Sequence, residues 1–269
     1  MYIEKEKNII VILGAPRSGT TLLSGLLTGN EECCPNIPEC TYITQIIEHY
    51  YNIVNYHDKE RFKVYAKDNN TLLGVYKKHV DGMLSIVLSN FNSNKEYKNI
   101  VLKDPLLTKY IDLVQVFFGK KSKIIFIARD PRAIIASMLK VELKKASNKS
   151  IELTSLIEHI TNDIYSYYYL VHKSKMYEKG LLIVKYENII SEEKELELIK
   201  IDKYIGYKFD REPFKRNFFN FDKNDPTYSS NYEKNIINNK SSNIELLSEK
   251  HIENIEYIFS GINHYYKWW

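Results

Sequence analysis

The segment Gly14-Ala-Pro-Arg-Ser-Gly-Thr-Thr21 concentrates groups that hold a phosphate. Gly14 and Gly19 let the backbone approach an anion closely, and Arg17 supplies a cation within the turn. Ala15, Pro16 and Ser18 complete that turn. Thr20 and Thr21 stand where a helix would begin, so their hydroxyls and the positive helix end converge on the same anion.

A nucleotide-hydrolysing loop of this shape ends in Gly-Lys-Ser/Thr, with the lysine on the terminal phosphates and the hydroxyl on magnesium. Here Gly19 is followed by Thr20, and the loop's cation is Arg17. The exchange removes the β/γ-phosphate grip and keeps a site for one phosphate. The expected ligand is therefore a phosphorylated donor other than ATP. A second station, Arg129-Asp-Pro-Arg-Ala-Ile-Ile-Ala-Ser137, puts an arginine at a strand end and a serine two helical turns later, as if for a second phosphate. Taken alone, Arg129 could equally be an ion-pair partner of Asp104 or Asp130, and Ser137 an ordinary helix residue.

These residues need elements to position them. The apolar run Asn8 to Leu13 reads as a strand entering the loop, and Thr20 to Thr28 as a helix ended by Gly29-Asn30. A helix is expected from Glu39, with Ile43, Ile46, Ile47 and Tyr50 on one face, and residues 52–94 read as an insert with helical pieces, covering the cleft. Further strands are Asn99 to Leu102, Lys123 to Ala128 and Leu181 to Tyr186, alternating with helices through Tyr110–Phe117, Ile134–Met138, Ile151–Tyr177 and Ser191–Ile205. This alternation predicts an α/β fold, a mostly parallel central sheet flanked by helices, with ligands at the carboxyl ends of the strands. Arg17, Lys103, Arg129 and Tyr186 all fall at or just after such ends. A loop-rich tail (209–242) and a last helix from Leu246 to Phe259 complete one expected domain over 1–269.

Together the two stations resemble the sulfotransferases that use 3′-phosphoadenosine 5′-phosphosulfate (PAPS). In that family a Pro-Arg-Ser-Gly-Thr-Thr loop, matched by Pro16 to Thr21, binds the 5′-phosphosulfate end. The resemblance assigns the 3′-phosphate to Arg129 and Ser137. It extends through Val184-Lys-Tyr-Glu-Asn188, which is similar to the family's Tyr-Glu-Asp/Asn segment and adds Tyr186 to the donor site; coverage runs from Asn8 to Gly206. Leu102-Lys-Asp-Pro105 is similar to a segment of tyrosylprotein sulfotransferases whose lysine touches the transferring group, which gives Lys103 that role. The alternative is a surface lysine capping a strand. Small-molecule enzymes of the cytosol carry their histidine base two residues after the corresponding lysine, where this chain has Pro105. Pro38-Glu39-Cys-Thr41 resembles the Gly-Glu-Glu-Thr stretch of the tyrosylprotein and carbohydrate enzymes and implies Glu39 as the base, with Glu31, Glu32 and His49 as fallbacks. Otherwise Glu39 merely opens a helix. Lys240-Ser-Ser242 is a loose match to a Ser-Lys element.

Composition fits this reading. A net charge of +4 without a clustered basic stripe speaks against nucleic acid. Cys33, Cys34 and Cys40 lack a second pair at zinc spacing, so no metal is expected and reduced thiols in a cytoplasmic protein are. A sulfuryl group also carries less charge than a phosphoryl group, so cationic side chains can replace magnesium. No targeting segment or membrane span is read. The expected partner is a small-molecule, glycan or peptide acceptor with a hydroxyl, reached by Lys77, Lys78, His57 or His79 only if those do not simply face water. The Tyr165-Ser-Tyr-Tyr-Tyr169 cluster is taken as helix packing. Rival readings are a kinase with Asp130 as its magnesium-binding acid, and a nucleotide-binding protein without transfer activity.

Overall fold

The computed structural model describes residues 7–56, 59–91, 96–145, 152–217, 224 and 243–269. Four strands, β1 (Asn8–Leu13), β2 (Asn99–Lys103), β3 (Lys123–Ala128) and β4 (Leu182–Lys185), form one parallel sheet in the order β2-β1-β3-β4. Register pairs Ile12 with Lys103, Leu13 with Phe126 and Ala128 with Lys185, which aligns the carboxyl ends. The strands are apolar on both faces because helices cover both, as parallel sheets require.

Strand alternation divides the core. Val11, Leu13, Leu102, Phe126 and Ala128 face one side. That side is covered by α2 (Thr41–Val54), α3 (Asn69–Ser89), α4 (Ile111–Phe118), α5 (Pro131–Lys145), α6 (Leu153–Lys173) and the last long helix, α10 (Glu249–Tyr266). Ile10, Ile12, Val101, Ile127 and Val184 face the other, against α1 (Thr20–Leu27) and α9 (Lys194–Ile205). Short helices α7 (Lys175–Glu178) and α8 (Tyr186–Ile189) flank β4. The same parity decides where the polar residues at the strand ends go. Lys103 continues the Val101 face and turns toward α1, whereas Asp104 turns the other way, to Thr44 of α2.

Several boundaries differ from those expected. The first helix does close on Thr28 just before Gly29, as expected, but with right-handed backbone, and Gly29 is needed for space: a Cβ there would lie 2.6 Å from Asp210 Cβ. Helix α2 starts at Thr41, two residues after Glu39, and the helical pieces of the insert are a 3-10 turn at Lys59–Phe62 and the long α3 packed on α2. The section expected over 151–177 breaks at Ser174, whose extended backbone and hydroxyl bond to Asp112 start α7 afresh. Ser191 opens a turn, and α9 follows from Lys194. The final helix runs on to Tyr266 from a capping box at Ser248 and His251. Residues 209–217 of the tail are anchored to the body: Phe209 is buried, Arg211 pairs with Asp202 and Glu195, and Phe214 lies against Gly25. His57, Lys240, Ser241 and Ser242 lie outside the described residues. No described helix is long and apolar enough to cross a membrane.

Candidate active site at the carboxyl ends of the strands

The Gly14–Thr21 loop is held from below. Thr108 accepts from the Gly14 amide at 2.9 Å and donates to its carbonyl at 3.2 Å. Arg17 (φ 68°) and Gly19 (φ 105°) adopt left-handed backbone, a geometry that turns successive amides toward one concavity. Helix α1 then begins without a side-chain cap or an acid in its first turn. Among the described residues Leu23 is the first α1 amide with a main-chain acceptor, Gly19 O, so the amides of Thr20, Thr21 and Leu22 are placed to meet an anion. Ser18 Oγ is buried with no hydrogen-bond partner among the described residues. These are the features of a cradle that fits an anion.

Gly19 carries a second constraint, because Tyr186 at the end of β4 covers it. A Cβ on Gly19 would sit 2.4 Å from the Tyr186 ring, in backbone that side chains rarely adopt. We expect Gly19→Ala to cost about 1–3 kcal/mol of stability; a thermal midpoint equal to that of the native chain would contradict this packing.

Two further strand ends close on the loop. Lys103, only 5% exposed, donates from Nζ to Thr21 Oγ1 at 3.0 Å and to Glu39 Oε1 at 2.9 Å. The surface-lysine alternative is therefore excluded. Glu39 reaches it because residues 33–40 run beside β2, from a Cys34 amide bond to Asn99 O to a Cys40 amide bond to Lys103 O. The Glu39 side chain is 46% exposed, so it pairs with the buried lysine and still faces solvent. From β3, Arg129 donates to Arg17 O at 2.8 Å, and its guanidinium lies 4.3 Å over the Tyr186 ring. Arg17 in turn donates from Nε to Ser137 Oγ at 3.1 Å, which joins the two stations directly.

Residues 9–211 match the sulfotransferase family. The chain belongs to that family. Solved structures similar to this sulfotransferase-family chain include the sulfotransferase domain of the Synechococcus PCC 7002 olefin synthase (14% identity, TM-score 0.57, covering 97% of this chain and 98% of that one). Similar too are the sulfotransferase domain of the curacin biosynthetic pathway (15%, 0.55, 94% and 98%) and sulfotransferase STF9 of Mycobacterium avium (12%, 0.53, 97% and 77%). At these identities they establish a shared fold. A search of curated proteins finds no match.

In this sulfotransferase fold the alternatives to the site residues are engaged elsewhere. Glu32 pairs with Lys98 at the opposite, amino end of β2, and His49 Nδ1 bonds Tyr76 at 2.7 Å. Glu31 is exposed and precedes Glu32 at that same end. Arg129 makes no ion pair with Asp104 or Asp130: Asp104 is bonded by Thr44 and the Leu106 amide, and Asp130 by Arg132. Burial pushes the Asp104 carboxyl above its usual range, opposed by its bonds from Thr44 and Leu106. Cys33, Cys34 and Cys40 are free, and burial raises each thiol to about 12, so they stay protonated packing groups.

Two residues at the site were missed by sequence reasoning. Tyr168 bonds both main-chain groups of Arg129, and Glu187 accepts from the Asp130 amide at 2.8 Å. Glu187 lay within the motif already quoted. Tyr168 lay inside the tyrosine cluster set aside as packing, and no spacing distinguishes it there from Tyr167 or Tyr169.

Proposed function

We propose that the chain transfers the sulfuryl group of PAPS to an acceptor hydroxyl. The observation that carries this reading is Lys103 Nζ, buried and shared between Thr21 of the anion loop and Glu39. A cation and a carboxylate held together beside an anion cradle can serve the leaving and entering oxygens of one displacement.

The residues fit such a donor. The loop from Gly14 through Ala15, Pro16, Arg17, Ser18 and Gly19 to Thr20 and Thr21 would hold the 5′ end, with the orphaned Ser18 hydroxyl and the open α1 amides as donors. Arg129 and Ser137 would take the 3′-phosphate, with the Arg129 guanidinium held over the Tyr186 ring at 4.3 Å. PAPS supplies a sulfuryl group on a phosphate that leaves as adenosine 3′,5′-bisphosphate. Glu39 would accept the acceptor's hydroxyl proton as the new oxygen–sulfur bond forms in line with the breaking one. Lys103 and Arg17 would stabilise the negative charge that gathers on the departing phosphate oxygen.

Affinity for the product separates this reading from a kinase. Adenosine 3′,5′-bisphosphate should raise the melting temperature more than ATP with magnesium does, since only the former offers a phosphate to each station. The opposite order would sink the assignment. The kinase reading also needs Asp130 for a metal, and that carboxylate is held by Arg132 at 2.7 Å. Radiolabelled transfer from PAPS to phenols, sugars, lipids and tyrosine peptides would identify the acceptor; donor binding without transfer to any of them would favour a binding protein.

A further inference from the structure

We propose that Tyr168 is a positioning residue that sets the second anion station by clamping the main chain of Arg129, with Glu187 holding the next peptide. The inference rests on the donor reading above and assigns a specificity role to a helix residue remote from the loop.

At the end of β3 the sheet ladder stops at Ala128, paired with Lys185. The Arg129 amide and carbonyl thus leave the ladder in a part-buried place, where unpaired peptide groups are costly. One phenol satisfies both: the Arg129 amide donates to Tyr168 Oη at 3.0 Å, and the hydroxyl donates to Arg129 O at 2.6 Å. Glu187 Oε1 accepts from the following amide, that of Asp130, at 2.8 Å. The Tyr168 ring cannot shift, since Phe126, Phe259, Tyr266 and Trp268 meet it edge to face with centroids 5.5–5.8 Å away. Lys185, at the end of β4, donates to Tyr266 O and ties that aromatic wall to the same sheet edge. Burial pushes the Tyr168 phenol well above its ordinary range, so it remains a hydroxyl able to donate.

With its main chain fixed, the Arg129 side chain has few directions left. Its NH1 donates to Arg17 O and its Cζ lies over the Tyr186 ring, and it makes no ion pair with a carboxylate among the described residues. The remaining guanidinium donors are aimed by a frame whose origin is the Tyr168 hydroxyl. Loosening that frame should weaken recognition of the second phosphate and leave the first largely intact.

Adenosine 3′,5′-bisphosphate and adenosine 5′-monophosphate, measured by calorimetry, differ by the phosphate at issue. The unaltered chain should prefer the bisphosphate; equal affinities would overturn the donor reading itself. Given that preference, Tyr168→Phe, which keeps the ring, should reduce it about tenfold while monophosphate affinity changes little. In an Arg129→Ala background the same substitution should have no further effect on the ratio. Glu187→Met should reduce the preference as Tyr168→Phe does, and Glu187→Gln, which retains an acceptor for the Asp130 amide, should restore it. A preference unchanged in Tyr168→Phe and Glu187→Met, a parallel loss for both nucleotides, or a loss that persists in the Arg129→Ala background would each overturn the inference. Should Tyr168→Phe not fold, the Glu187 pair decides by the same ratio.

Discussion

Lys103→Ala is expected to lower turnover by about 100-fold or more, the usual scale for removing a charge-stabilising donor from a reacting centre. The effect should fall on kcat, with a smaller change in affinity for adenosine 3′,5′-bisphosphate, because the α1 amides, Arg17 and Arg129 remain. The reason is placement. Lys103 is 5% exposed, so its charge acts with little screening by water, and its Nζ already touches Thr21 of the anion loop. Removing it also frees Glu39 from its partner, which leaves a carboxylate beside the donor's anionic end. Lys103→Arg is a stricter test: a planar guanidinium does not reproduce a compact ammonium bonded to both Thr21 and Glu39, so most of the activity should still be lost. Near-normal kcat in Lys103→Ala would remove the lysine from the mechanism.

Glu39→Gln is expected to lower kcat by about 100-fold, within the range for loss of a positioned general base. The amide can still accept the Lys103 hydrogen bond, so the buried lysine keeps a partner and the folded state should be little disturbed. Bisphosphate affinity should therefore stay close to that of the native chain. A distinguishing measurement is the dependence on acceptor acidity. Across acceptors of graded hydroxyl pKa, the loss should shrink as the hydroxyl becomes more acidic, since a weaker demand for proton removal needs less from the base. An equal loss for every acceptor would leave Glu39 as a partner of Lys103 only, and activity close to native would dismiss it altogether.

The two substitutions probe one ion pair from opposite ends. Breaking such a pair by removing only the acid would strand a buried lysine, which is why the glutamine variant is preferred to alanine for reading chemistry. Alanine at position 39 should lower turnover by a similar factor, with added loss of stability from the lysine left on Thr21 alone.

Much of the fold was legible because its signals are local. The runs Asn8–Leu13 and Lys123–Ala128 are short, rich in β-branched residues and apolar at successive positions, as a strand covered on both sides requires, and both are strands of the parallel sheet. Gly119 and Gly206 end their helices with positive φ, a conformation glycine adopts without steric cost. Boundaries failed where a distant partner overrode the local signal. The helix over 151–177 breaks where Ser174 meets Asp112, whereas Gly29, which does follow the end of α1, is also required by the close approach of Asp210.

The Gly14–Thr21 loop and the Arg129–Ser137 segment were written in the order of residues, and with them the family to which the chain belongs. Backbone conformation in a tight loop and helix initiation depend on neighbours a few positions away, so sequence alone determines them. Contacts across the sheet edge do not have that property. Glu39 meets Lys103 across a separation of 64 residues, Arg17 meets Ser137 across 120, and Tyr168 reaches the Arg129 main chain across 39. Each depends on strand order, register and the parity that turns Lys103 toward α1 and Asp104 away from it. Only the tertiary structure decided which of four candidate bases lies on the buried lysine and which tyrosine of a cluster holds the second arginine, because those choices are made by parallel crossovers rather than by spacing along the chain.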